Sequence, residues 1–231
     1  MNNGGPPVFD RTAMQNGQLK LFSGSAHPML AREIADQIGS IDVMVRPAKS
    51  GLGSAYRDGF HYGMERGYDL LVEMDADLSH DPESLDSLLE PFALDPELSL
   101  VIGSRYVPGG SIPDWSRRRR LLSRLGNRYA DSALRFGVAD ATSGFRAYRA
   151  SALEAVKLDS VRADGYGFQI EMAYRVYKAG GTIIERPIAF TDRTDGESKM
   201  SSRIVFEALG LVTAWAIRDR LARRPRPANN N

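Results

Sequence analysis

The amino-acid sequence predicts an α/β protein whose mostly parallel sheet is flanked by helices. Short apolar runs alternate with segments of helical periodicity, the arrangement expected of βαβ units. The 231 residues, 42% of them hydrophobic, are enough to form the core of one sizeable domain. An apolar run at residues 68–74 leads directly into Asp75 and Asp77, so polar groups follow a strand at the sheet edge where α/β proteins bind ligands.

The N-terminal half begins with residues 1–17, which are rich in Asn, Gly and Pro and are predicted to be a disordered tail. We expect a strand at 19–23 and a helix at 28–38, followed by a strand at 41–45. A helix ending near Gly67 then leads to the strand that carries the two aspartates.

The C-terminal half is predicted to continue the alternation of helices and strands. The expected elements are a helix starting at 81–83, a strand at 98–102, an arginine-rich helix at 116–136, a loop at 140–146, a helix at 168–178, a strand at 182–188 and an amphipathic helix at 201–222. One domain at 18–200 would thus precede the last helix, and residues 223–231 would be a second disordered tail.

Charge and cysteine content exclude several classes of function. Lys plus Arg number 30 and Asp plus Glu number 29, so the net charge of +1 gives no overall reason to expect a polyanionic partner. The chain has no cysteine, which excludes disulfides and thiolate metal sites. We find neither a signal peptide nor an apolar run near the ~20 residues needed to span a bilayer.

Asp75 and Asp77 are the main candidates for catalysis. Side chains at positions i and i+2 of an extended chain point to the same side, so both carboxylates can face one divalent cation that carries a diphosphate. The simpler alternative is an acidic turn that caps the following helix. Arg105 also follows a strand directly, so it can reach the same phosphates or form a surface salt bridge.

The two arginine-rich helices suggest a membrane surface as a partner. Leu121, Leu122, Leu125 and Tyr129 form an apolar stripe beside many arginines, which is typical of an interfacial helix on anionic lipid. A solvated basic surface is the alternative, and near-neutral total charge argues against nucleic acid. The helix at 201–222 either lies in the membrane interface or packs on its own sheet with basic ends.

Six ordered motifs resemble those of the polyprenyl (dolichyl) phosphate mannose synthases, inverting glycosyltransferases of GT-A fold. The motifs are EMDADLSHDP, GSRYVPGG, SRRRRLLSRLGN, DATSGFRAYR, GYGFQIEM and RTDGESKM, and the resemblance spans residues 46–220. It implies transfer of mannose from GDP-mannose to a polyprenyl phosphate, catalysed with Mg²⁺ or Mn²⁺. It also implies a peripheral position on the cytoplasmic, inner face of the membrane.

The resemblance also implies roles for individual residues. Asp75 and Asp77 would bind the metal and the donor phosphates, and Ser79 stands where family members often place a Gln ligand. Arg105 is a third catalytic candidate beside the two aspartates, and the remaining candidates are substrate-binding residues. Arg105, Arg119 and Ser123 would hold the acceptor phosphate, Arg193 and Lys199 would clamp the diphosphate as their loop closes, and Gln169 and Glu171 would contact sugar hydroxyls.

The N-terminal segment departs from this family. The two family motifs that hold the nucleotide base and ribose are missing, and residues 19–39 instead resemble the opening strand and helix of ribose-phosphate pyrophosphokinases. The usual N-terminal βα units are therefore reduced or replaced. Two alternatives follow: an inactive membrane-surface module that lacks the donor nucleoside site, and a glucosyltransferase that uses a UDP or GDP donor.

Overall fold

The structure is a computed structural model that describes residues 44, 46, 51–75, 77, 79–192 and 202–222, with side chains in the last segment described from residue 206 onward. The predicted tails, the predicted strand and helix at 19–38 and most of the strand at 41–45 lie outside the described residues. The predicted division into a domain at 18–200 and a terminal helix stays a prediction.

Four described strands form one mixed sheet. They are β1 (Leu70–Glu73), β2 (Leu98–Ser104), β3 (Arg146–Arg149) and β4 (Thr182–Pro187), arranged in the order β1-β3-β2-β4. Strand β3 runs antiparallel to both of its neighbours, while β2 and β4 are parallel. Three strands therefore share one direction, as a mostly parallel sheet requires, and β3 is the reversed strand that the sequence did not predict.

Six described helices surround this sheet. They are α1 (Leu52–Glu65), α2 (Leu85–Leu94), α3 (Arg117–Leu134), α4 (Ala150–Ala155), α5 (Gly165–Lys178) and α6 (Ser202–Ala222), with 3₁₀ turns at Pro82–Ser84 and Leu158–Ser160. Ser116 caps α3 and Asp164 caps α5 through their side-chain oxygens. Helix α4 and the second 3₁₀ turn were not predicted.

The hydrophobic core lies on both faces of the sheet, and strand β2 contributes to each. Leu100 and Ile102 face a cluster that includes Phe60 and Phe168, while Val101 faces the opposite cluster. This follows the two-residue period of a strand, and burial on both faces explains why β2 reads as an almost continuous apolar run. The sheet is thus a rigid support for the loops at its edges.

Helix α6 packs on its own domain, against α3 and α5. Ala208, Val212 and Ala216, spaced one turn apart, form its buried stripe. Asp219 accepts hydrogen bonds from Tyr174 and Lys178 of α5. Of the two alternatives for this helix, the structure shows packing on the protein, although on neighbouring helices rather than on the sheet.

Strand β3 begins at the edge where β1 and β2 end. Arg146 is opposite Glu73 of β1 and Ile102 of β2 in the register. The loop 140–145 that precedes β3 consequently lies at the carboxyl edge of these strands. The same edge carries Asp75, Asp77 and Arg105, so the topology gathers the predicted site residues on one side of the sheet.

Candidate active site

Each of the two predicted metal-binding aspartates has its own set of contacts just beyond β1. Asp77 Oδ1 accepts hydrogen bonds from the Ser79 backbone N–H at 3.2 Å and from the Ser79 hydroxyl at 2.5 Å. Asp75 Oδ1 accepts one from the Tyr56 hydroxyl at 3.3 Å, and Asp75 Oδ2 lies 3.8 Å from His80 Nε2. The Asp75 side chain remains 41% exposed, so it can still meet a ligand.

Ser79 is 2% exposed, and its hydroxyl is used by Asp77 in the described conformation. This contact holds the Asp77 carboxylate in a local turn, which is a common use of a serine two residues after an aspartate. The assignment of Ser79 as a metal ligand stays a prediction.

A buried polar cluster that the sequence analysis missed lies beneath the aspartates. Glu73 and Arg146 are both fully or nearly fully buried, with Arg146 Nε 3.7 Å from Glu73 Oε1. Burial raises the pKa of Glu73 to about 8, although Arg146 counteracts part of this effect. Arg146 also donates to the backbone carbonyls of Ser143, Ala141 and Gln169, each at 2.7 Å. It therefore shapes the loop 140–145 beside the site.

Arg105 forms a buried ion pair with Asp140 rather than the surface salt bridge considered as its alternative. Its Nε and Nη2 atoms each lie 2.7 Å from an Asp140 oxygen, and Nη2 also donates to Thr142 at 2.8 Å. The Asp140 backbone N–H in turn donates to Glu185 of β4 at 2.9 Å. These contacts fix the Arg105 guanidinium against the loop 140–145.

Arg119 lies at the start of α3, with its guanidinium 3.9 Å from the centre of the Trp115 ring. Arg119 Nη1 also lies 2.7 Å from Asp192 Oδ2. Asp192 is the last described residue before the predicted clamp loop, and its backbone N–H donates to Asp114 at 3.1 Å. Arg119 therefore connects the start of α3 to the base of that loop.

Two aromatic rings connect the aspartate side of the site to the arginine side. The Phe190 ring centre is 5.3 Å from that of His80, which contacts Asp75, and 5.4 Å from the Arg105 guanidinium. Phe190 also packs edge-on against Trp115, with the two ring centres 5.7 Å apart. The Arg119 guanidinium lies over the same Trp115 ring. The structure thus brings Arg105 and Arg119 to one aromatic pair and connects Asp75 to that pair through His80.

A basic cavity of about 240 Å³ opens beside Arg105. Its charged lining consists of Arg105, Arg120 and Arg124, and the loop 110–113 provides the rest. Arg120 Nη2 donates to the Ile112 carbonyl at 2.8 Å, which orients that guanidinium. The sequence indicated Arg120 and Arg124 only as part of a basic helix surface and not as lining a ligand site, although their spacing of four residues places them on one helix face. An anion is the ligand that suits this cavity.

The other predicted substrate-binding residues have different environments. Ser123 lies beside Tyr106, whose pKa is raised by burial and partly lowered again by the Ser123 side chain. Gln169 is 2% exposed, and its side-chain amide has no hydrogen bond of ordinary geometry within the described residues. The Glu171 carboxylate accepts a hydrogen bond from the Ala163 backbone N–H at 3.0 Å and forms an ion pair with Arg175, so it already has partners within the protein. Arg193 and Lys199 lie outside the described residues.

The donor atoms near Asp75 and Asp77 suit a hard divalent cation. Among the described residues, no three His, Cys, Asp or Glu side chains are grouped so that they alone hold a metal. Mg²⁺ and Mn²⁺ prefer oxygen ligands, and Mg²⁺ is commonly held by one or two carboxylates together with substrate phosphates and water. The pair of aspartates fits a metal of this kind, completed by a diphosphate.

Comparison with known proteins assigns the family. The model for glycosyl transferase family 2 matches residues 25–157, more than half of the chain. The chain belongs to glycosyl transferase family 2. It is 49% identical over 178 residues to an undecaprenyl-phosphate mannosyltransferase of Micrococcus luteus, a match that covers 77% of this chain and 72% of the relative. It is 47% identical over 195 residues to the polyprenol monophosphomannose synthase of Mycolicibacterium smegmatis, covering 82% and 73%.

Solved structures agree with a family 2 fold. Glucosyl-3-phosphoglycerate synthase from Mycobacterium tuberculosis in complex with UDP has a TM-score of 0.60 and 16% identity, covering 85% of this chain and 68% of that one. The same synthase with Mn²⁺, UDP-glucose and phosphoglyceric acid has a TM-score of 0.59 and 15% identity, with the same coverage. At this identity the likeness concerns the fold alone, and it confirms the predicted GT-A-like α/β class.

These comparisons confirm the resemblance to polyprenyl phosphate mannose synthases and show that the chain is a family 2 glycosyltransferase. The family match starts at residue 25, inside the segment that resembles ribose-phosphate pyrophosphokinases. That second resemblance stays a prediction. Within the described residues, every helix is too short or too polar to cross a lipid bilayer.

Proposed function

We propose that this glycosyltransferase transfers mannose from GDP-mannose to a polyprenyl phosphate, with inversion and with Mg²⁺ or Mn²⁺. The observation that carries the proposal is that Arg105 and Arg119 lie against Phe190 and Trp115, and that His80 connects the same aromatic pair to Asp75. The site thereby offers carboxylates for a metal-bound diphosphate next to arginines for a second phosphate. Relatives at 49% and 47% identity, named for mannosyl transfer to undecaprenyl phosphate and polyprenol, support the same substrates.

The proposed chemistry depends on positioning and charge rather than on a strong base. The acceptor phosphate is already anionic near neutral pH, so its oxygen can attack the sugar without losing a proton first. A divalent cation bound by Asp75 and Asp77 would neutralise the charge that develops on the departing diphosphate. Arg193 and Lys199 are the proposed clamp on the same diphosphate. Gln169 and Glu171 are the proposed contacts to the sugar.

The basic cavity is the proposed site for the acceptor phosphate. Three guanidinium groups, from Arg105, Arg120 and Arg124, line it, and guanidinium groups pair well with phosphate oxygens. The buried contact with Asp140 holds Arg105 before any substrate arrives. Such preorganisation lowers the cost of aligning the attacking oxygen with the sugar. Arg119 and Ser123, one turn apart on α3, complete the proposed acceptor site.

We propose that the protein binds its lipid acceptor at the surface of an anionic membrane. Helix α3 exposes Leu121, Leu122 and Leu125, which are between 51% and 59% exposed, and α6 exposes Ile217 and Leu221 at 50% and 57%. A hydrogen bond of 2.6 Å between Tyr129 and Thr213 joins these two stripes. We call the five residues the α3–α6 surface. Apolar side chains interspersed with arginines favour a peripheral position on the cytoplasmic leaflet, which is rich in anionic lipid.

The proposal is tested by incubating the protein with GDP-mannose, polyprenyl phosphate and Mg²⁺ and extracting lipid-linked mannose. Parallel reactions with GDP-glucose and UDP-glucose decide the sugar and the nucleotide. Asp77→Asn is the matched control, because it keeps the size of the side chain and removes the charge. We expect lipid-linked mannose from the native protein alone. Absence of product from folded protein would argue against the proposal.

The sequence also supports one alternative, an inactive membrane-surface module. It rests on the missing N-terminal motifs that hold the base and ribose in the resembled family. Calorimetry with GDP and Mn²⁺ separates the two possibilities. Metal-dependent binding of GDP is expected for the enzyme, and no binding is expected for the module.

A further inference from the structure

We propose that Tyr56 and His80 are positioning residues that hold the Asp75 carboxylate in the orientation needed at the metal and diphosphate site. The inference deepens the proposed function and rests on it. Neither residue was predicted from the sequence to belong to the site, and no comparison assigns a role to either. Three segments of the chain surround this one carboxylate, and each contributes to the argument.

Tyr56 lies on α1 and donates its hydroxyl to Asp75 Oδ1 at 3.3 Å. Its ring is stacked against Phe168, with ring centres 5.8 Å apart, and against Phe60 at 6.2 Å. Because Phe60 and Phe168 are buried, the Tyr56 ring has little freedom to turn away.

His80 approaches the other oxygen of the same carboxylate. It is 3% exposed, and its Nε2 lies 3.8 Å from Asp75 Oδ2. Its ring lies between Phe145 and Phe190, with centres 5.1 and 5.3 Å away, and its backbone pairs with Phe190. Neither ring nitrogen has a hydrogen-bond partner within the described residues. A buried imidazole without a partner is costly, which indicates that its partner is the nearby carboxylate once the site is loaded.

Gly144 closes a third side of the Asp75 carboxylate. A Cβ atom built on Gly144 would lie 3.2 Å from Asp75 Oδ2, which is tighter than ordinary van der Waals contact. The carboxylate is thus confined by α1, by the loop 140–145 and by the segment that contains His80. Its exposed side, which accounts for the 41% exposure, is the direction left for a ligand.

The two aspartates are therefore held in different ways. Ser79, two residues away along the chain, fixes Asp77, whereas Asp75 depends on groups 19 positions before it and 5 after it. Partners that orient a metal-binding carboxylate typically contribute 10- to 100-fold to metal affinity or activity, so about 10-fold is expected for each one here. The expected loss concerns affinity for the metal more than the fold.

The test measures Mn²⁺ affinity directly, by electron paramagnetic resonance of free Mn²⁺ during titration of the full chain in the presence of GDP. Tyr56→Phe keeps the stacked ring and removes the hydroxyl, His80→Leu removes the ring nitrogens, and His80→Gln restores a donor. The matched controls are Tyr177→Phe and His61→Gln, because Tyr177 is exposed, His61 is partly exposed, and neither has a described contact with the site. Circular dichroism and thermal unfolding establish that each variant is folded.

We expect the dissociation constant for Mn²⁺ to rise about 10-fold in Tyr56→Phe and in His80→Leu. His80→Gln should recover most of that loss, and both controls should match the native protein. Native affinity in folded Tyr56→Phe and His80→Leu would overturn the positioning role while leaving the proposed function intact. Failure of the native protein to bind Mn²⁺ would overturn both. If one variant does not fold, the other decides the outcome.

Discussion

Arg105 and Asp140 form a buried ion pair in which two guanidinium nitrogens each lie 2.7 Å from a carboxylate oxygen. Arg105 is 6% exposed and Asp140 is fully buried. Burial alone would raise the pKa of Asp140, but the Arg105 guanidinium holds it below the usual range. The pair joins the end of β2 to the loop 140–145 and so fixes one wall of the candidate active site.

Asp140→Asn should destabilise the protein, because it leaves the Arg105 charge buried without its partner. Breaking one side of a buried pair costs about 3 to 5 kcal/mol, and we expect the free energy of unfolding in urea to fall by a similar amount. Asp159→Asn is the matched control, since Asp159 pairs with His61 on the surface with an 89% exposed side chain. Equal urea midpoints for the two variants would contradict the structural role of the pair.

Glu73 should make stability depend on pH in an unusual direction. Burial raises its pKa from an ordinary value of 4.5 to about 8, so between pH 4.5 and 8 the folded protein binds more protons than the unfolded chain. Its contribution to stability is therefore present below pH 4.5 and is lost as the pH rises to about 8. Within this range, the titration of Glu73 should lower the free energy of unfolding by about 1.4 kcal/mol for each pH unit.

Glu73→Gln removes this titration while keeping the shape of the side chain. We expect urea unfolding from pH 5 to pH 8 to show that the native protein loses stability relative to Glu73→Gln as the pH rises. A difference that stays constant across this range would show that Glu73 does not change its protonation there.

The strands and helices that the sequence predicted well are those with a clear apolar period. Strand β2 is buried on both faces and carries no charged residue, and α3 has a capping serine at its start. Strand β3 was missed because two of its four residues are arginines. Arg146 is nevertheless fully buried, because Glu73 offsets its charge and three backbone carbonyls accept hydrogen bonds from its guanidinium. That compensation involves residues far away in sequence.

The candidate site was predictable as a set of residue types and not as a set of contacts. The aspartates and Arg105 were selected as candidates because they follow apolar strands. The partners Asp140, Tyr56 and Phe190 were not found, because each meets its partner across 19 to 110 positions of sequence. Nothing in the local pattern distinguishes a tyrosine that packs in the core from one that also donates to a carboxylate.

Arg124→Ala should weaken binding of the lipid acceptor. The loss of one charge-assisted hydrogen bond to a phosphate costs about 1.5 to 3 kcal/mol, which corresponds to a rise in KM for polyprenyl phosphate of about 10- to 150-fold. Arg118→Ala is the matched control, because Arg118 is exposed on the same helix and does not line the basic cavity. A short-chain acceptor in detergent separates this effect from membrane binding. The same KM for both variants would contradict the assignment of the cavity.

The Leu122→Glu, Leu125→Glu double variant should lose affinity for anionic vesicles. Two leucines on the α3–α6 surface would no longer enter the interface, and the added charges would repel anionic head groups, so we expect at least about a 10-fold loss. Leu94→Glu is the matched control, since Leu94 is 72% exposed on α2, outside this surface. Co-sedimentation with phosphatidylglycerol vesicles measures the effect. Equal sedimentation of all three proteins would mean that this face does not contact the membrane.

A crystal structure with GDP and Mn²⁺ tests most directly whether the aspartates and arginines act on one leaving diphosphate. We expect Mn²⁺ within about 2.2 Å of oxygens from Asp75, Asp77 and the diphosphate, with the diphosphate facing the basic cavity beside Arg105. GDP bound away from both aspartates, or bound there without any metal, would contradict the account.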